Sequence, residues 1–219
     1  MIELKNISKK FMINYVIKDV NYKFENGKIY GIKGRNGTGK TVLLKCICGL
    51  TRISSGEIEY NGKVLNNDFS ILPSIGVIIE SPIFWKDKTG YETLEFLGSI
   101  KKKISKEKII EVLDKVGLGE SKDIRIRKYS LGMKQRLAIA QAIMEEPDVL
   151  LLDEPTNSLD DDGVEMFKKV MLEERKRGAT ILIVSHVMDD IMEICDEQLI
   201  LVDKKLKNIN DKSGETENV

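Results

Sequence analysis

The chain has 219 residues, enough for one large domain or two small ones and for a core that buries about 70% of the unfolded surface without disulfides. Lys plus Arg and Asp plus Glu both number 35, so no net field draws the chain to nucleic acid or anionic lipid, and nucleic acid is not an expected partner. No apolar run approaches the roughly 18 residues of a membrane span, and the first residues show no signal-peptide pattern. Cys46, Cys48 and Cys195 lack the second cluster a metal site needs, which predicts reduced, structural thiols in a cytosolic chain.

Residues 2–8 alternate apolar and polar like a half-exposed strand, and Val16 to Phe24 repeats the habit after a turn at Ile13-Asn14-Tyr15. A further strand at Glu57 to Tyr60 ends in Asn61-Gly62, a strong hairpin signal, so a small antiparallel sheet is expected. Phe11 closes the first strand, where its ring can stack on a purine or pack on the sheet.

Lys28 to Ile32 reads as a buried strand, Thr41 to Cys48 as a helix stopped by Gly49, and between them lies Gly34-Arg35-Asn36-Gly37-Thr38-Gly39-Lys40-Thr41. This Gly-x-x-x-x-Gly-Lys-Thr pattern, set between strand and helix, is a phosphate-binding loop. Its glycines let several N–H groups converge on one anion, and the helix start adds about half a positive charge there. Lys40 is expected to reach the β- and γ-phosphates, and Thr41 to offer a hydroxyl to Mg²⁺, which is commonly held through substrate phosphates.

Ile75 to Ile79 is a continuous apolar run with Glu80 at its carboxyl end, where ligands of open α/β sheets bind. From Ser81 to Glu146 helical patterns replace strands, which predicts a helical insert. Within it, Ser105 is expected to cap a helix that presents Ile109, Ile110, Leu113 and Val116 on one face and stops at Gly117. The basic run Lys101-Lys102-Lys103 with Lys106 and Lys108 reads as a solvated helix face. Ser130 is the natural cap of a helix bearing Leu137, Ile139, Ala140, Ile143 and Met144, and with Gly132 it makes a second potential anion site.

Val149 to Leu152 is a buried strand ending in Asp153-Glu154. Two carboxylates there need a cation, so Asp153 is expected to hold the waters of Mg²⁺ and Glu154 to take the proton of an attacking water. Thr156 to Asp160 turns into a helix that runs to about Arg177 and stops at Gly178. Another strand, Thr180 to Val184, leads to Ser185 and to His186, the only histidine, which is expected to face the phosphates. Leu199 to Val202 is a last strand, and residues 204–219 read as a polar, aromatic-free tail.

Gly34 to Thr41, Ser130 with Gly132, Val149 to Glu154, Ser158-Leu159-Asp160 and Ser185-His186 stand in an order and spacing that resembles the ABC-type ATPase domain over about residues 1–205. The resemblance implies an α/β fold, a P-loop NTPase (RecA-like) core with an antiparallel β subdomain and an α-helical insert at about 81–146, followed by a tail over 206–219. It implies ATP and Mg²⁺ as ligands and a head-to-tail pair with a second ATPase subunit. Each ATP is then held between the loop of one domain and the Ser130 segment of the other. In the family pattern Glu154 is the general base, His186 contacts the γ-phosphate, Asp160 crosses the interface and Phe11 stacks on adenine. Catalysis is thus expected of Glu154, His186 and Lys40. Nucleotide contacts are expected from Phe11, Gly34, Arg35, Asn36, Gly37, Thr38, Gly39, Lys40, Thr41, Glu80, Ser130, Gly132 and Asp160, and metal contacts from Thr41, Glu80 and Asp153.

The sequence departs from the family pattern at three positions. Glu80 replaces the usual Gln, and its negative charge near the γ-phosphate predicts binding that depends strongly on Mg²⁺. Leu131 and Met133 replace a Gly and a Gln of the Leu-Ser-Gly-Gly-Gln signature. With Gly90 to Leu94, these features resemble ATPase subunits of exporters for bacitracin- or lantibiotic-type peptides. The expectation is an ATP-hydrolysing subunit, peripheral on the inner face of the cell membrane, that drives an integral membrane permease docked near Glu80, Phe84, Trp85 and Tyr91. The rival readings are ATPases of the same type that act on nucleic acid or the ribosome, or in soluble cofactor assembly.

Overall fold

The structure, a computed structural model, describes residues 1–68, 70–101, 104–186 and 191–209. The chain opens with β1 (Ile2–Phe11) and β2 (Asn14–Phe24), an antiparallel pair whose turn is Met12-Ile13, so that Asn14 and Tyr15 belong to the second strand and not to the turn predicted for them. β3 (Ile29–Lys33), the phosphate loop and α1 (Lys40–Ile47) follow. β4 (Ser55–Tyr60) and β5 (Lys63–Val64) form the hairpin around Asn61-Gly62, both at positive φ. These strands complete a four-stranded antiparallel sheet in the order β2-β1-β4-β5.

After β6 (Ile75–Ile78) come α2 (Gly90–Lys101), α3 (Lys106–Lys115) and α4 (Leu131–Ile143). Ser105 caps α3 by accepting from the N–H of Lys108, and Ser130 caps α4 by accepting from Met133. Ile109, Leu113 and Val116 are buried as predicted, whereas Ile110 is exposed and Val112 takes its place in the core. The helix rotates so that its i, i+3, i+4 stripe, not the whole apolar set, faces inward. Lys102 and Lys103 of the basic run lie outside the described residues.

β7 (Val149–Asp153), α5 (Asp161–Arg177), β8 (Thr180–Ser185), β9 (Glu197–Val202) and β10 (Lys205–Asn208) finish the described chain. The second sheet runs β10-β9-β3-β8-β7-β6, parallel throughout except for β10, which pairs antiparallel with β9. The tail predicted from residue 204 or 206 is corrected here, because residues 205–208 are an edge strand. One buried side chain, Leu206 opposite Leu201, seats it, which is too short a pattern to read from sequence. Residues 210–219 lie outside the described residues.

The parallel strands are apolar at successive positions because both faces of this sheet are covered. Leu150, Leu152, Ile181 and Ile183 face a core shared with α4, α5 and the buried stripe of α3. Val149, Leu151, Leu182 and Val184 face α1 and the antiparallel sheet. Phe24 of β2 meets Tyr30 of β3 with ring centroids 4.9 Å apart and so joins the two sheets, and Tyr22 packs on Phe24 at 4.7 Å. Among the described residues, no helix is long and apolar enough to cross a membrane.

Candidate nucleotide site

The carboxyl ends of β3, β7 and β8 lie side by side, with Lys33 opposite Ser185 and Asp153 opposite Val184. This register alone gathers the loop after β3, the acids after β7 and the serine and histidine after β8, residues drawn from three distant parts of the sequence.

The loop closes on itself tightly. Thr38 donates its hydroxyl to the carbonyl of Arg35 at 2.9 Å, and Lys40 folds back to donate to the carbonyls of Gly34 at 2.6 Å and Arg35 at 3.1 Å. Gly39 holds φ 102° as the N-cap of α1, and a Cβ there would fall 2.7 Å from Val16. The first turn of α1 carries no acidic residue and no side-chain cap, so its N–H groups and dipole meet no carboxylate of their own. A cleft of about 400 Å³ opens over this end, lined by Val16, Asn36, Gly37, Gly39, Lys40, Thr41, Val42, Asp153 and Glu154. Sequence reasoning misses Val16, since an apolar residue in an alternating strand carries no chemical signal.

Thr41 donates its hydroxyl to Asp153 Oδ2 at 2.6 Å. Burial pushes the Asp153 carboxyl above its ordinary range, and the Thr41 bond works against that shift. Among the described residues, no group of three or more His, Cys, Asp or Glu side chains forms a cage for a metal. A hydroxyl beside a buried carboxylate at the mouth of an anion-ready loop fits Mg²⁺, which takes oxygen ligands and few protein ones.

Glu154 follows at φ 50°, a left-handed backbone unusual for a glutamate, with its N–H bonded to Val184 O at 2.8 Å. Its Oε2 accepts from Ser185 Oγ at 2.9 Å; its Oε1 accepts from the His186 N–H at 2.9 Å and lies 2.8 Å from His186 Nδ1. His186 therefore orients on the acid and does not line the cleft; it borders a neighbouring groove with Lys33, Gly34, Arg35 and Asn36.

Glu80 sits at the end of the edge strand in a left-handed backbone (φ 64°) and pairs with Lys45 on α1. It borders an adjoining cavity of about 280 Å³ with Asp153, Glu154, Leu131 and Lys134, and not the cleft over the loop. Phe11 is half exposed, with Lys9 Nζ 4.8 Å from its ring centre, and it too stands outside the cleft lining. Ser130, Gly132 and Asp160 line neither the cleft nor the adjoining cavity, although Leu131 and Ser158 beside them border that cavity with Glu154. A Cβ on Gly132 would meet Ser158 O at 2.9 Å, and Asp160 caps α5 through Gly163 while pairing with Arg136 at 3.2 Å. That backbone bond, helped by Arg136, holds the Asp160 carboxyl below its usual range. One chain thus lines the cleft with the loop, Asp153 and Glu154 and bonds His186 to Glu154 beside it, while Ser130, Gly132 and Asp160 contribute nothing to the cleft lining.

A parallel sheet with this loop at a strand end and helices on both faces defines a P-loop NTPase. The chain belongs to the ABC transporter family, whose profile matches residues 17–157, and is an ATP-binding cassette and ATPase of that family. It is 45% identical over 196 residues, 90% of each chain, to the uncharacterized ABC transporter ATP-binding protein YybJ of Bacillus subtilis (strain 168). It is 39% identical to the bacitracin transport ATP-binding protein BcrA of Enterococcus faecalis, over 90% of this chain and 64% of that one. The lantibiotic transport ATP-binding protein SrtF of Streptococcus pyogenes is 33% identical, over 90% and 84%. Among solved structures, the ATP binding subunit of an ABC transporter superposes with a TM-score of 0.85 at 26% identity, over 96% of this chain and 91% of that one. A dimeric bacterial ABC transporter cassette matches in fold, with a TM-score of 0.82 at 23% identity, over 94% and 97%.

Proposed function

We propose that this chain powers an exporter of a peptide antibiotic, lantibiotic or similar amphipathic compound. It would do so by hydrolysing ATP between two ATPase subunits joined head to tail beneath an integral membrane permease. Residues 1–208, through β10, act as one ATPase unit with residues 81–146 as its helical subdomain. The observation that carries this reading is the split of the site. The loop, Asp153 and Glu154 line one cleft and His186 is bonded to Glu154 beside it, while Ser130, Gly132 and Asp160 line neither that cleft nor the groove of His186, as a site completed by a second chain requires.

Lys40 and the N–H groups of residues 34–41 bind the β- and γ-phosphates, and Phe11 stacks on the base. Thr41 and Asp153, with Glu80 from the adjoining cavity, would hold Mg²⁺, and the ion would supply positive charge against the phosphates. Glu154 takes a proton from water as the water oxygen bonds to the γ-phosphorus, and the β,γ-bridging bond breaks to leave ADP and phosphate. Ser130 and Gly132 of the second subunit close over the γ-phosphate, so ATP joins the two subunits and its hydrolysis releases them.

Support for the permease comes from the relatives named for bacitracin and lantibiotic transport. It also comes from the exposed pair Trp85 and Phe96, each 49% exposed, which meet edge-on at 5.1 Å on the insert close to Glu80 in the sequence. The test is purification of the tagged chain from native membranes. Recovery of a protein with several membrane spans in a two-to-two complex is expected. Recovery of soluble partners alone, or ATPase activity stimulated by nucleic acid and lost steeply with salt, would replace this reading.

A further inference from the structure

Glu154 is held more fully than a base needs to be if the water alone were to orient it. Its strained backbone fixes where the side chain starts, and the neighbouring strand end then fixes where it stops. Ser185, the last residue of β8, is 1% exposed and donates to Oε2, while His186 supplies its backbone N–H and places Nδ1 on Oε1. A carboxylate offers about four acceptor positions. These contacts occupy at most three, which leaves at least one acceptor position on a carboxylate that lines the cleft above the loop.

We infer that Ser185 is a positioning residue for hydrolysis: its hydroxyl fixes the Glu154 carboxylate so that its remaining lone pair meets the attacking water. This inference rests on the reading of Glu154 as general base. Ser185 is buried and lines neither the cleft nor the groove beside it, so it acts through Glu154 and not on nucleotide. Its hydrogen bond to a charged acceptor is of the stronger kind, and a small buried hydroxyl can be removed with little change of volume.

The test uses the full chain with Ser185→Ala, Ser185→Thr and Glu154→Gln. Ser185→Ala should lower kcat about tenfold or more while KM and the ATP dissociation constant stay within about twofold, and Ser185→Thr, which restores the hydroxyl, should recover most of the rate. In the double variant Glu154→Gln, Ser185→Ala the second change should cost nothing further, because the residue it positions is gone. Melting temperatures check that each variant is folded. A Ser185→Ala enzyme with wild-type or raised kcat overturns the inference, and so does a loss of ATP affinity that matches the loss of rate. If Glu154→Gln itself hydrolyses ATP at the wild-type rate, the base assignment fails, and that outcome is distinct from an inactive Glu154→Gln beside a fully active Ser185→Ala.

Discussion

Thr41 and Asp153, 112 positions apart in sequence, meet through a 2.6 Å hydrogen bond that ties the start of α1 to the end of β7. Asn at 153 still offers an oxygen to Thr41 but no charge. The Asp153 carboxyl is raised by burial, so the folded chain holds its proton more tightly than the unfolded chain does. Its contribution to stability is therefore present in acid and lost as pH rises through the folded value. Asp153→Asn should melt at the same or a higher temperature than the parent at pH 7 without nucleotide, and the difference should close as pH falls. The same variant should weaken Mg²⁺-dependent ATP binding by about 10- to 100-fold. A variant that melts lower at pH 7 and binds MgATP normally would remove Asp153 from the metal.

Glu80 tests the departure from the usual glutamine. Its pair with Lys45 is 66% exposed on the glutamate side, so it contributes under about 1 kcal/mol and is easily exchanged for another partner. Glu80→Gln should shift the melting temperature by no more than about 2–4 °C. It should strengthen ATP binding in EDTA several-fold more than in Mg²⁺, because one negative charge near the phosphates is gone. Titration with a fluorescent ATP analogue under both conditions measures this, and an unchanged ratio would mean Glu80 stays with Lys45 throughout.

The fold class is legible because the informative stretches are locally unambiguous. The loop from Gly34 to Thr41 sits between a clear strand and a clear helix, and Val149 to Leu152 can only be a strand covered on both faces. What escapes the sequence depends on register or rotation. β10 rests on the single buried Leu206, and Ile110 points outward because the turn of α3 favours Val112. In the site, residue types with recognisable chemistry stand out, and residues that act on those do not. Ser185 carries no signal beyond its place next to His186, and the Lys45 partner of Glu80 is one lysine among many in the sequence. Arg136, which bridges Val116 O and Asp160, has no local signal that would pick it out.

Close packing of α4 on β6 makes Gly76 obligatory. A Cβ at 76 would lie 1.9 Å from Ala142 O and 2.7 Å from Leu150 Cδ2, so strand and helix must separate to admit alanine. Overpacking of this kind costs about 1–3 kcal/mol, which is a fall of roughly 3–10 °C in melting temperature for a chain of this size. Gly62, at φ 79° and with no other atom within 4 Å of where its Cβ would stand, is the control, and Gly62→Asn should melt within about 2 °C of the parent. Equal melting temperatures for Gly76→Ala and the parent would mean the helix is not seated on the strand as described.

Burial also governs the thiols. It pushes Cys46 up to about 11 and Cys195 up to about 12, so neither offers thiolate near neutral pH. At pH 8 a thiol reagent should label both far more slowly in the native chain than in denaturant, by about 100-fold or more. The same shifts act on stability. A thiol whose folded value is raised contributes stability below its unfolded value near 9, and that contribution is lost as pH climbs towards the folded value. The denaturation midpoint should therefore fall between pH 9 and 11, and Cys46→Ala should fall less steeply over that window than the parent. Labelling of Cys46 in the native chain at the denatured rate would show that α1 opens away from the sheet, and with it the loop that α1 anchors.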